Sequence, residues 1–528
     1  MTEQYVITQD TGSLFGRLDV KTRQDTEFEK SSRQYFDSLA RVLSQTLGPD
    51  ISLVKFCESE IEEALNNRVI PILRDDPNAL CICLDRTLLN TVENDPQFND
   101  QFVRFGMCRT IDGKKEPRQG QKSFKEQCTM FKKTYPDIAD KKVIIVDDGL
   151  FTGGTVKEFI DIARQNDMEL RIEKIIGFVG NESVEPVSSI PTEIVKNVTD
   201  LYDWIDIRDF SVFGGKKYQS SRTNNVTSAV PYIYPWSNGA SASLDMTPGF
   251  FDASQEMIEV FAELVSRYET ANGKKLTFRD LVKAGFPLPT NISKTLPISI
   301  NVGVVEYLDR CIDMVERERM RQVYIFDMDG TLYELDGSKK GFNGSTLEGQ
   351  VLIRAKRFIM ERENIGEEVA RELLNTALSD EIGVSRFLSE RYGISRKDYF
   401  DFVWDIDPAG IVANYKMSQT VLRVLKKSDP SIKFILLTSA PKKWARRVLS
   451  YLEVDDLFES VYTGEQYDKK DEIFYMLSNR YKGEITSIGD QLQTDILPAE
   501  KLGMNTVKID GPDDLESLIF DIGGILCH

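Results

Sequence analysis

Apolar residues along this chain fall into two kinds of pattern that come in blocks. Short, β-branched runs bounded by polar turns occur at ALCICL (79–84), VIIV (143–146) and IIGFV (175–179). Runs of that length suit strands buried on both faces of a parallel sheet, with amphipathic crossovers between them. After residue 225 the pattern changes. VPYIYPWSNGASAS is rich in Pro, Ser and Gly, and then Met257, Ile258, Phe261, Leu264 and Val265 recur at the spacing of one helical face. VGVVEYLDRCIDMVERERM carries the helical character to residue 320. From 321 strands return as VYIF (323–326), FILL (434–437), SVY (460–462) and ITSI (485–488), the first two separated by a long, charged, helical insert.

The pattern predicts an α/β protein with two Rossmann-like parallel-sheet domains. These are residues 1–225 and 321–528, joined by a helical connector at 226–320; the second has a core at 321–340 and 425–528 and a helical cap at 341–424. Four units fit a length of 528 residues at about 100–200 residues per domain.

Composition then narrows the chemistry. The single histidine is His528, so neither a Ser-His-Asp triad nor a His-rich metal site can be assembled. Proton transfer must use carboxylates, lysines, tyrosines or the substrate, and a metal is expected to be a hard cation held by oxygens, Mg²⁺ foremost. The 66 Lys+Arg against 84 Asp+Glu give a net charge of −18, which speaks against nucleic acid or an anionic membrane as the main partner. Seven scattered cysteines (57, 81, 83, 108, 128, 311 and 527) read as reduced thiols of a cytoplasmic chain. No apolar run approaches the ~18 residues of a membrane span, and the opening MTEQYVITQDTG is too polar for a signal peptide.

Candidate chemistry sits in two constellations. In the first, VIIV is followed by Asp147, Asp148 and a Gly-rich turn, GLFTGGT, that opens a helix. Strand ends of this kind bind ligands in open α/β sheets. Thr152, Gly153, Gly154 and Thr155 would offer backbone N–H groups and hydroxyls to a phosphate. The acid pair would repel that phosphate and suits ribose hydroxyls or Mg²⁺ instead. Gly149 and Gly154 have P-loop spacing, but Thr155 stands where the P-loop lysine must be.

The segment closely resembles the ribose-phosphate loop of type I phosphoribosyltransferases. The resemblance implies binding of 5-phosphoribosyl-1-pyrophosphate (PRPP) with Mg²⁺, Asp147 and Asp148 on the ribose and Thr152–Thr155 on the 5′-phosphate. It also implies a pyrophosphate loop, for which Arg86 after ALCICL is the candidate, although the usual glycines are absent there and a surface arginine remains the other reading. The basic stretch 108–123, with Arg109, Lys114, Lys115, Arg118 and Lys122, has the composition of a closing loop and equally that of a solvated charge run. Trp204 and PYIYPW (231–236) are candidates for a hood over the base, or for core.

The second constellation is YIFDMDGTLY, in which Asp327 and Asp329 flank a turn at a strand end. An aspartate can attack phosphorus directly, while a second acid protonates the leaving alkoxide and later activates water. This resembles motif one of the haloacid dehalogenase (HAD) superfamily, and LLTSAP (Thr438, Ser439), Lys470 or Lys469, and IGDQLQTD (Asp490, Asp495) follow in the family's order. The resemblance implies Asp327 as nucleophile, Asp329 as general acid/base, and Thr438 with the lysine on the phosphoryl oxygens. Mg²⁺ would be held by Asp327, the Asp329 carbonyl and Asp490, with Asp495 in support. The lysine lacks the proline that often follows it, which leaves Lys470 against Lys469 open.

Together the resemblances imply a bifunctional enzyme of nucleotide metabolism. Phosphoribosyl transfer between PRPP and a base would be coupled to hydrolysis of a nucleoside phosphate or related monoester. Paired domains of this kind look like those of tellurite- and stress-linked bacterial gene clusters. Small molecules (PRPP, a base or nucleotide, a phosphate ester) are the expected partners, without nucleic acid or membrane, and a homodimer is left open. The alternative is a first domain that senses PRPP or a nucleotide without turnover and regulates the phosphatase.

Overall fold

In the computed structural model, residues 3–9, 15, 18, 26–47, 51–84, 97–98, 100–109, 115–117, 121–181, 187–217, 228–232, 234, 247, 249–289, 299–336, 341–380, 383–467 and 469–519 are described. The chain divides into two compact units, Met1–Val315 and Glu316–His528.

The first unit begins with β1 (Glu3–Thr8), β2 (Ile51–Phe56), β3 (Ala79–Cys83) and β4 (Phe102–Arg104). A hairpin of β5 (Met107–Arg109) and β6 (Lys115–Pro117) follows, then β7 (Lys142–Leu150), β8 (Arg171–Gly180), β9 (Thr192–Asn197) and β10 (Leu201–Asp206). Five of these form a wholly parallel sheet in the order β4-β3-β7-β8-β9. The strand order reverses between β3 and β7, so the ligand crevice of such a sheet opens at their carboxyl ends.

Period-two alternation explains the continuous apolar runs. Leu80, Ile82, Val143 and Ile145 face a core with Phe105, Phe131 and Phe159. Cys81, Cys83, Ile144 and Val146 face the other, with Phe56, Phe178 and Val198. Cys57, Cys81, Cys128 and Cys311 are free thiols.

A second parallel sheet, β10-β1-β2, was not anticipated from the sequence. Its strands are short and partly exposed, and ISLVKF and LYDWID mix polar and apolar residues too evenly to read as buried. Two short strands, β11 (Lys216–Lys217) and β12 (Ser228–Val230), pair antiparallel, and β12 pairs parallel with β13 (Leu288–Pro289).

The helical stretch expected to connect the domains begins with a helix at Phe250–Asn272, whose buried face includes Met257, Ile258, Phe261, Leu264 and Val265. It packs inside the first unit along the helix Thr26–Leu47. Tyr35 and Phe261 meet as a tilted pair at 5.6 Å between ring centroids, and Arg41 pairs with Glu256.

The second unit holds β14 (Val323–Phe326), β15 (Glu334–Leu335), β16 (Val412–Ala413), β17 (Lys433–Thr438), β18 (Phe458–Thr463), β19 (Ile485–Gly489) and β20 (Asn505–Lys508). Its parallel sheet runs β18-β17-β14-β19-β20, reversing between β14 and β19. The helical excursion Thr346–Glu363, Glu367–Leu378, Val384–Tyr392 and Arg396–Val403 leaves after β15 and returns into β16. These two strands pair antiparallel, Glu334 with Ala413 and Leu335 with Val412. Among the described residues, no helix is long and apolar enough to cross a membrane.

Candidate functional site

At the reversal point of the second sheet, Asp327 leaves β14 with its N–H bonded to the Ile488 carbonyl of β19 (2.9 Å). Its carboxylate is buried. Lys470, at the start of the helix Lys470–Arg480, places Nζ 2.6 Å from Asp327 Oδ1 and 2.7 Å from Asp495 Oδ1. Thr331 Oγ1 donates to Asp327 Oδ2 (3.3 Å). Of the two candidate lysines, Lys470 is therefore the one in the site, while Lys469 is exposed at the N-cap.

Burial pushes Asp327 up, Lys470 opposes the rise, and the Asp495 and Asp329 charges add to it. For Lys470, burial pulls down, but Asp327 and Asp495 outweigh it and hold the ammonium charged. Two buried carboxylates, Asp327 and Asp495, thus share one lysine ammonium, with the Asp329 charge close by.

That deficit bears on a metal. Asp327, Asp490 and Asp495 can each bring one ligand oxygen within 4.8 Å of the others. Among the described residues, Oδ1 of Asp490 is buried without a hydrogen-bond partner, and burial with the neighbouring Asp495 raises this carboxyl to about 6. Gly330 sits at φ +83°, where a Cβ would fall 2.5 Å from Asp490 Oδ2, so only glycine lets the turn approach that acid. An orphaned oxygen in an all-carboxylate set fits a hard divalent cation. Asp495 is already engaged by Lys470 and by the Gln491 N–H (3.0 Å), which suits a supporting part.

Asp329 has partners of its own. Its Oδ1 accepts the Tyr333 hydroxyl, which in turn accepts from Trp444 Nε1 (3.0 Å). Burial raises the Asp329 carboxyl and the Tyr333 bond opposes the rise. Burial and the Asp329 charge push Tyr333 far above the usual phenol range, so it remains a donor. Thr438 is buried at the end of β17, its Oγ1 accepting the Ala440 N–H (3.1 Å) and its carbonyl bonded by the Tyr467 hydroxyl (2.7 Å); Ser439 is exposed beside it. Tyr333, Trp444 and Tyr467 were not singled out from the sequence. Tyr333 closes the quoted YIFDMDGTLY run, but its contact with Trp444 is 111 positions distant.

In the first unit, the acid pair lies within β7 rather than after it. The strand was expected to end at Val146, yet it pairs with β8 as far as Leu150, Asp147 opposite Gly177 and Leu150 opposite Gly180. Main-chain pairing with a long neighbour outweighs the local polarity. Asp147 is buried and Asp148 half-buried.

The turn beyond carries Thr152, exposed, whose Oγ1 accepts the Gly154 N–H at 3.4 Å. Gly153 caps the helix Gly154–Gln165 in the left-handed region at φ +66°, and a Cβ there would fall 2.5 Å from Val187 Cγ2. Helix starts are in general places where backbone N–H groups can meet an anion.

Lys115 of the β5–β6 hairpin donates to Thr155 Oγ1 (3.0 Å), which brings one member of the basic stretch onto the turn. Trp204, on β10, lies over Gly149, where a Cβ would fall 2.2 Å from its ring, and its Nε1 donates to Thr8 Oγ1 (2.8 Å). Arg86, Lys114, Arg118 and part of PYIYPW lie outside the described residues, and of Arg109 only the backbone, in β5, is described.

With these geometries in hand, comparison with known proteins gives two family matches. Residues 104–207 match the phosphoribosyl transferase domain, and residues 322–503 match the haloacid dehalogenase-like hydrolases. The first span takes in Asp147–Thr155 and leaves Arg86 outside. The second takes in every residue of the Asp327–Asp495 cluster. No curated protein matches the chain.

Among solved structures, a Clostridium difficile protein named as a phosphatase is 21% identical over 36% of this chain and 86% of that one, with a TM-score of 0.23. A HAD hydrolase of Bacillus subtilis, described as bound to magnesium, is 18% identical (36% and 89%, TM-score 0.21). A hydrolase of Pseudomonas syringae is 17% identical (36% and 83%, TM-score 0.23). Likeness at this level carries no statement about substrate or reaction.

Proposed function

We propose that this chain, which joins a phosphoribosyl transferase domain to a haloacid dehalogenase-like hydrolase domain, hydrolyses a phosphate monoester in its second unit and handles PRPP in its first. The single observation that carries the phosphatase reading is the buried Asp327–Lys470–Asp495 cluster beside Asp329.

Asp327 lies at the mouth of the sheet with Lys470 holding its Oδ1, so an in-line attack on phosphorus forms an aspartyl phosphate and breaks the bond to the leaving oxygen. Asp329 gives that oxygen its proton. It then takes a proton from water, which attacks the aspartyl phosphate, frees phosphate and restores Asp327. Lys470 and the Thr438 hydroxyl are placed for the phosphoryl oxygens. Asp327, Asp490 and the Asp329 carbonyl would hold Mg²⁺, which when bound supplies charge neutralisation for the phosphoryl group.

For the first unit, the backbone cradle at Thr152–Thr155, the Asp147–Asp148 pair and the Lys115 contact support a site for ribose 5-phosphate bearing pyrophosphate, with Mg²⁺. The reaction proposed there is exchange of that pyrophosphate for a base, yielding a nucleotide whose 5′-phosphate the second unit would remove.

Two experiments test the pair. Asp327→Asn should lower hydrolysis of phosphate esters by at least about a thousandfold with an unchanged melting curve, and retained hydrolysis would end the aspartyl-phosphate reading. Protein, PRPP, Mg²⁺ and a panel of bases should release pyrophosphate. If PRPP binds and no base releases it, the transferase reading gives way to that of a sensor.

A further inference from the structure

Between the two carboxylates of the second site there is a difference that their spacing in sequence does not reveal. Asp327 is held by a lysine, while Asp329 is held by a two-membered chain of neutral donors, Trp444 Nε1–H to Tyr333 Oη, and Tyr333 O–H to Asp329 Oδ1. Both aromatic side chains are fully buried, at 0% exposure each.

The turn that carries Tyr333 is fixed on both sides. Its carbonyl accepts the Gly330 N–H (2.9 Å), and the preceding Leu332 carbonyl accepts the buried Ser418 hydroxyl (2.6 Å) from the helix Lys416–Ser428. Trp444 comes from a third element, the helix Lys442–Tyr451. Two helices therefore brace the turn whose tyrosine bonds a single carboxylate oxygen. Burying the Tyr333 hydroxyl against a single acid is unnecessary for packing, since phenylalanine would fill its space without needing a partner.

We infer that Tyr333, oriented by Trp444, is the positioning residue for Asp329: it engages Oδ1 and so presents Oδ2 to the leaving oxygen. The inference rests on the phosphatase reading above and names a residue that this reading leaves without a part. In the first half-reaction the P–O bond to the alcohol breaks as the proton on Asp329 Oδ2 passes to the departing oxygen. In the second, Oδ2 takes a proton from the attacking water as the Asp327–phosphorus bond breaks. Tyr333 keeps its own proton throughout and only fixes which oxygen of Asp329 exchanges one.

Such a residue matters in proportion to how much the leaving group needs its proton. An alkoxide needs it, and a nitrophenolate scarcely does. The test compares the full-length protein with Tyr333→Phe and Trp444→Phe, measuring kcat/KM on an alkyl phosphate and on p-nitrophenyl phosphate. This parameter reports only the steps up to departure of the alcohol. Tyr333→Phe should lose about 30-fold on the alkyl ester and no more than about threefold on the aryl ester, within the range of general-acid effects. Trp444→Phe should show the same leaving-group bias at smaller size, and it decides the matter should Tyr333→Phe not fold.

Equal losses on both esters would reduce the chain to packing and overturn the inference, as would no loss on either. If the unaltered protein hydrolyses neither ester, it is the phosphatase reading that fails, and the inference fails with it.

Discussion

The two five-stranded parallel sheets each place a pair of acids where the strand order reverses, yet the two candidate sites are built from different materials. In the second unit the working groups are side chains: Asp327, Lys470 and Asp495 lock together within 2.7 Å, and Asp329 has its own braced partner. In the first unit the material is largely backbone, a left-handed Gly153 opening a helix, with two threonines and one lysine bonded across to it. A group that must form and break a bond has to be fixed and partly desolvated. A group that only holds a phosphate can be an amide array at a helix start. On the proposed reading, the contrast teaches that attack by a side chain and the holding of a phosphate can share a topology while drawing on different parts of the chain.

Removing the buried cation should separate the two most sharply. Lys470→Met leaves Asp327 and Asp495 facing each other without their shared partner. Phosphate-ester hydrolysis should fall by roughly a hundred- to a thousandfold, while PRPP binding, followed by titration calorimetry, should be unchanged. A loss in both would mean that the sites are not separable.

The reciprocal change is Gly153→Ala, which puts a Cβ at φ +66° and 2.5 Å from Val187. The strain costs roughly 1–3 kcal/mol locally. PRPP affinity should drop about tenfold or more, with ester hydrolysis intact.

A third comparison uses acid. Glu459 in β18 is bonded to Arg321 (2.7 Å) and Lys426 (2.9 Å) in the second unit. Burial alone would raise its carboxyl, but Lys433, Arg321 and Lys426 outweigh burial and hold it at about 2 against an ordinary value of 4.5. A depressed folded-state value contributes stability that is present above the unfolded value and is lost as pH falls from there toward the folded one. The second unit should therefore lose roughly 2–3 kcal/mol between about pH 5 and pH 2 through this residue. Glu459→Gln should flatten that part of the profile in differential scanning calorimetry, and an unchanged slope would exclude Glu459 as its source.

The smallest effect is expected at the first site's rim. Lys115→Gln removes one cation from the turn at Thr155 and should weaken PRPP binding about threefold, less at high salt.

The sequence made the second site more legible than the first for a physical reason. Asp327, Thr438 and Asp490 end or follow buried strands and Lys470 opens a helix, so VYIF, FILL and ITSI announced where to look. Even the open choice of lysine was resolved by a simple fact of burial at Lys470. What stayed hidden were contacts between positions far apart. Nothing near Tyr333 marks Trp444 as its partner, and nothing in VDDG indicates that β7 continues through the acids because β8 is long enough to pair with it. The β10-β1-β2 sheet was missed because its strands are half-exposed and carry no clean alternation. Trp204 looked equally like hood or core, and its place over Gly149 depends on that unseen sheet.

The pairing of β15 with β16 has a consequence for how such a molecule can change over generations. Because Glu334–Leu335 and Val412–Ala413 are stitched to one another, the two ends of the helical excursion are already adjacent whatever lies between them. Holding the ends of a flexible segment together costs only about 0.6 kcal/mol more for each doubling of its length, and here a ribbon of main-chain bonds holds them. The ribbon thus fixes where the excursion leaves and rejoins the chain, which makes it a graft point: an excursion of another length could be exchanged there so long as it restores the apolar face that Leu347, Val351 and Phe358 pack against the rest of the unit.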